Sequence, residues 1–100
     1  MGNQKRVERV AGMERAMDAV SAATDTLEQA LRQWEAAQPE LEALRAYYES
    51  PQWRRDLDAD EAGKLPPELK RGVLSQDGVW ELLDRVRDLR QELRRLAEKE

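Results

Sequence analysis

The stretch VAGMERAMDAVSAATDTLEQALRQW, residues 10–34, decides the fold. Val10, Met13, Met17, Val20, Thr24, Leu27, Leu31 and Trp34 follow one another at alternating steps of three and four. That spacing is a heptad seam with one polar member, and it returns an apolar side chain to the same face of a helix through more than three repeats. No proline interrupts residues 3–38, and alanine, the best helix former, fills many flanking positions. The spacing predicts one helix over about residues 4–37, roughly 50 Å long. The weakest point of that helix is Ser21–Thr26, where Asp25 and Glu28 could cap a second start.

Outward from this seam, Pro39 lacks a backbone donor and disfavours helix in the residue before it, so it is expected to end or kink the first helix. It also suits the first turn of a new one, and Leu41, Leu44 and Tyr48 set a short second helix over about 39–49. Ser50-Pro51 reads as a cap and first helical residue opening a further turn through Trp53. Gly63, Pro66, Pro67 and Gly72 punctuate the next segment, with a helical turn expected around Pro67–Arg71 and stopped by Gly72. Leu57, Leu65, Leu69, Val73 and Leu74 make the whole of 50–74 too apolar for a free linker, so an ordered connector is expected.

Ser75 is the clearest helix start: its hydroxyl can accept from the amide of Asp77 or Gly78, and Leu74 and Val79 stand at the two positions of a hydrophobic staple. Val79, Leu82, Leu83, Val86, Leu89, Leu93 and Leu96 then draw an apolar stripe along a last helix over about 76–98. A stripe that narrow must be buried against another helix. The expected architecture is therefore a single all-α domain over 1–100, its long N-terminal and C-terminal helices packed antiparallel, with a short second helix and a Gly/Pro-containing connector.

Composition narrows the function. The chain has 100 residues, 38% charged and 40% hydrophobic, and much of the hydrophobic share is alanine, so the reserve for a core is thin. There is no cysteine and no histidine, which removes disulfides, thiolate metal sites and the commonest neutral-pH acid/base. A net charge of −4 argues against nucleic-acid binding. The polar start leads into no apolar run, and Gly2 lacks the Ser or Thr at position 6 of a myristoylation signal, where Arg6 stands. No membrane segment is expected and the cytoplasm is the default location.

The residues Tyr47-Tyr48-Glu49-Ser50, Trp53, Asp60-Glu61-Ala62-Gly63-Lys64-Leu65-Pro66, Leu69-Lys70-Arg71-Gly72-Val73-Leu74-Ser75-Gln76-Asp77-Gly78-Val79 and Leu82-Leu83 form a longer pattern. It resembles the signature of a small bacterial family of all-helical proteins known only as a domain of unknown function. The resemblance covers about residues 5–97 and is specific from Tyr47 to Leu83. It implies a bacterial cytoplasmic helical domain, and it carries no catalytic residue, substrate or cofactor to these positions.

The residues themselves admit three chemistries. Alternating Asp56, Asp58 and Asp60 suggest a calcium loop, but the sixth and twelfth positions hold Glu61 and Pro67 where glycine and glutamate are needed. Asp58 with Glu61, and Glu81 with Asp84, are pairs three apart; facing one another they would suit Mg²⁺ in a small metal-dependent nucleotide phosphohydrolase. Solvated carboxylates paired with Arg54, Arg55, Lys64, Lys70 or Arg71 explain the acids more economically. A ligand pocket between the connector and the last two helices, lined by Trp53 and Lys70, is the third.

The favoured expectation is a non-catalytic interaction module with no metal and no cofactor. The long seam exceeds what the last helix can cover by about ten residues, or about 15 Å. Met13, Met17, Val20, Leu27, Trp53 and Trp80 are the expected contact residues, and the partner is a second copy in a homodimer or another helical protein.

Overall fold

The computed structural model describes residues 2–99. Three α-helices and a 3-10 turn make up its regular structure: α1 over Gly2–Tyr48, α2 over Pro51–Glu61, the turn over Gly72–Leu74, and α3 over Gln76–Glu98. The chain is all-α among the described residues, with a long first helix, a short second helix, a connector and a C-terminal helix. It divides at Glu40/Leu41 into two compact units.

α1 is one helix, longer than its sequence predicts. It passes through Thr24 without interruption and carries Pro39 inside it, so it does not end near residue 37, and 39–48 is its last part and not a separate second helix. Pro39 removes a single hydrogen bond, that of its missing N–H to the carbonyl four residues earlier. Good helix formers on both sides (Ala36, Ala37, Glu40, Leu41, Glu42, Ala43, Leu44) outweigh that loss. Beside it the Gln38 side-chain amide donates to the Trp34 carbonyl at 3.2 Å.

The stronger stop comes at Ser50-Pro51. The proline holds Ser50 extended (φ −88°, ψ 156°) and opens α2 at its first helical position. The Ser50 hydroxyl turns back and donates to the Tyr47 carbonyl at 2.7 Å, closing α1 where the sequence predicts a cap for the next helix. α2 itself runs for 11 residues through a segment expected to be mostly connector. It stops in a Schellman motif: Gly63, at φ 73°, sends its amide to Asp60, and Lys64 sends its own to Ala59, both at 3.0 Å. That left-handed residue is where glycine is required.

Between α2 and α3 the backbone folds tightly. Leu69 N–H donates to the Pro66 carbonyl in a single turn, and Gly72 begins a 3-10 turn where the sequence predicts that it ends a helical one. Ser75 then caps α3 as its position predicts, its hydroxyl accepting from Gly78 N–H at 3.2 Å. Leu74 and Val79, the two staple positions, are both buried.

The core lies in the unit from Leu41 onward. Trp53 and Leu57 of α2 meet Leu74, with Tyr47, Tyr48 and Leu65 packed around them. The Trp53 ring stands edge-on to Tyr48, centroids 5.0 Å apart. Its indole N–H donates to the Val73 carbonyl at 2.8 Å, so the largest side chain of the core is also a clasp on the connector. Leu41, Val79 and Val86 are the other buried apolar residues, the last two seven apart on one stripe of α3.

Candidate functional site

Residues 2–40 form the first unit, and among them none is buried. Val10 is 54% exposed, Met13 64%, Met17 61%, Val20 66% and Leu27 52%. Met13, Met17, Val20 and Leu27 are the residues of this helix predicted to make contacts; Val7 and Leu31 are also exposed. Assigning Val10 to heptad position a puts Met17, Thr24 and Leu31 at a as well, and Met13, Val20, Leu27 and Trp34 at d. One flank of the seam, position g, then reads Ala16, Ala23, Ala30 and Ala37; the other, position e, reads Glu14, Ser21, Glu28 and Glu35. Small residues along a flank widen the apolar face and let a second helix come close. The large apolar residues alone do not reveal that regularity, although counting heptad positions outward from Val10 exposes it.

The second unit carries a polar arrangement at the α1–α2 corner. The half-buried Tyr47 hydroxyl donates to Asp56 Oδ2 at 2.5 Å, and Gln52 Nε2 donates to Asp56 Oδ1 at 2.7 Å. The hydrogen bond to Asp56, aided by desolvation and by the carboxylate's charge, pushes the Tyr47 phenol from 10.0 up to about 12. The same hydrogen bond, with that from Gln52, holds the Asp56 carboxyl below its ordinary value. The two groups therefore favour the folded state over a bounded range. Asp56 contributes above the ordinary carboxylate pKa and loses its contribution as pH falls through its lowered value. Tyr47 contributes below pH 10 and loses its contribution as pH rises through about 12. An NMR titration of the tyrosine Cζ resonances is expected to place Tyr47 near 12, and Asp56→Asn to bring it back toward 10. An unchanged titration in that variant would refute the pairing.

The acidic candidates do not converge. Asp58 lies 3.8 Å from Arg54 on its own helix, and Asp84 pairs with Arg87. Glu61 and Glu81 are exposed. Asp60 is taken by Arg71 at 2.8 Å, across the connector. Among the described residues no three acidic side chains form a group able to hold a cation. Such local and cross-connector ion pairs are what mixed charges on a helical surface ordinarily do.

Of the aromatic contact candidates, Trp80 is exposed on α3, whereas Trp53 is 8% exposed and sits in the core. Trp53 does not offer an anchor to a partner, because its ring packs on Tyr48 and its N–H is spent on Val73. An open cavity of about 450 Å³ lies in the second unit, lined by Leu44, Lys70, Gly72, Val73, Gly78, Val79 and Leu82. Its lining is mostly apolar, with Lys70 its charged member, and Trp53 is not on its wall. Beside it a smaller hollow of about 290 Å³ reaches Tyr47, Asp56 and Arg71.

The model for the domain of unknown function DUF4298 matches residues 10–96, and the chain belongs to that family. No curated protein and no solved structure matches it. Among the described residues no helix is long and apolar enough to cross a membrane.

Proposed function

For this member of a family whose description carries no activity, we propose a non-catalytic helical interaction module that self-associates through the seam of α1. The reading takes the cytoplasm as its setting, as the family resemblance implies. The observation that carries it is the exposure of Val10, Met13, Met17, Val20 and Leu27 on one face of a helix none of whose described residues before Leu41 is buried. Helices in proteins draw most of their stability from packing an apolar face rather than from propensity. A row of valine, methionine and leucine left in water also costs transfer free energy of about 25 cal/mol for each Å² that a partner would cover. Association covers that row and completes the helix. The dispersed carboxylates offer no comparable support for metal chemistry.

Sedimentation of the full chain at tens of micromolar tests this. A species of twice the 11.6 kDa chain mass is expected. A single species at the chain mass over the whole range would overturn the reading.

A further inference from the structure

Given self-association, on which this step rests, we infer that the occupant of the seam is the α1 helix of a second copy running antiparallel. The two-fold axis lies between the two helices at the level of Asp18 and Ala19. Three features of residues 2–40 converge on this arrangement.

The first is charge along the helix. Its start carries Lys5, Arg6 and Arg9 with Glu8 as the one acid, whereas Asp25, Glu28 and Glu35 dominate residues 25–35 with Arg32 as the one base. Antiparallel pairing lays the basic start of each copy against the acidic stretch of the other. Parallel pairing sets basic on basic and acidic on acidic, which opposes association.

The second is the flanks. In an antiparallel pair, position e of one helix faces e of the other and g faces g. With the axis at residues 18–19, Glu14 meets the partner's Ser21 and Glu28 meets the partner's Val7, so no two glutamates are opposed. On the opposite flank Ala16 meets the partner's Ala23, which permits close approach of the backbones. The third is the seam itself, where this register sets Val10 on the partner's Leu27, Met13 on the partner's Thr24 and Met17 on the partner's Val20. The Val10–Leu27 and Met17–Val20 layers thus join side chains that are more than half exposed in the single chain. The unbranched methionines adapt to the uneven layers at Thr24 and at the centre.

The absence of native cysteine makes the register directly measurable. Val10→Cys and Leu27→Cys are prepared separately in the full chain and treated with a short bismaleimide, alone and mixed. In the proposed pair, residue 10 lies opposite residue 27, while the two copies of residue 10 are about 25 Å apart. A shift to the dimer mass is expected only in the mixture, and each variant alone stays at the monomer mass. Adducts within each variant alone would mean a parallel pair and overturn the inference while self-association stands. A dimer by sedimentation with no adduct in any mixture would overturn the register. No adduct together with a monomeric mass would overturn self-association itself.

Discussion

Trp53→Ala is expected to destabilise the unit from Leu41 onward by about 3–5 kcal/mol, the range for truncating a buried aromatic in a core that cannot collapse around the void. The size of the effect reflects how few residues share the work. Trp53, Leu57 and Leu74 are the buried centre, with Tyr47, Tyr48 and Leu65 around it. Removing the indole takes away the edge-on partner of Tyr48 and the donor to the Val73 carbonyl together. A unit of some sixty residues has little to spare against total stabilities of about 5–15 kcal/mol, so the variant is expected to sit close to its unfolding midpoint at room temperature. Urea unfolding followed by circular dichroism measures this. Trp53→Phe separates the two contributions: it keeps one ring in the core and loses the donor with only a minor part of the volume, at about 1–2 kcal/mol. Equal losses in the two variants would show that the clasp on Val73, and not the volume, carries the core.

Val20→Asp acts on the other unit and on a different observable. Val20 is 66% exposed in the single chain, so an aspartate there has no folded core to disturb, and chain stability should move by no more than about 0.5 kcal/mol. In the proposed pair the same position faces the partner's Met17 next to the two-fold axis, and both copies would bury an unpaired carboxylate there. A loss of at least about 100-fold in the dimer association constant is expected from two such charges. Ala22→Asp places the same charge on the outer face of α1, at heptad position f, and is expected to leave association within about threefold of the parent chain. Equal effects from the two aspartates would mean that net charge, and not the seam, governs association.

How far the sequence can be read divides along the range of the interactions. Ser75 with its bond to Gly78, and the helical entry at Pro51, depend on neighbours within a few residues, and their residue types reveal them. Pro39 misleads because its local cost is plain in the sequence, while the cooperative gain of a helix continuing on both sides is not. Segment 51–61 reads as connector because its apolar residues Trp53 and Leu57 are four apart but too few to set a period. The bonds that define the corner, Tyr47 to Asp56, Trp53 to Val73 and Asp60 to Arg71, join residues 9, 20 and 11 apart. They exist only once α2 has turned back on α1 and the connector has closed over it, and no periodicity announces them. The seam of α1 is legible, but its spacing fits burial within one chain as well; the exposure of Met13, Met17 and Val20 is visible only in the structure.

Amide hydrogen exchange of the full chain at high and low concentration tests the covered seam most directly. Protection across residues 10–34 is expected to fall on dilution as the partner leaves, while protection across residues 53–74, set by the core around Trp53, stays constant. Protection over residues 10–34 that is the same at every concentration, with the chain sedimenting as a monomer throughout, would contradict the account.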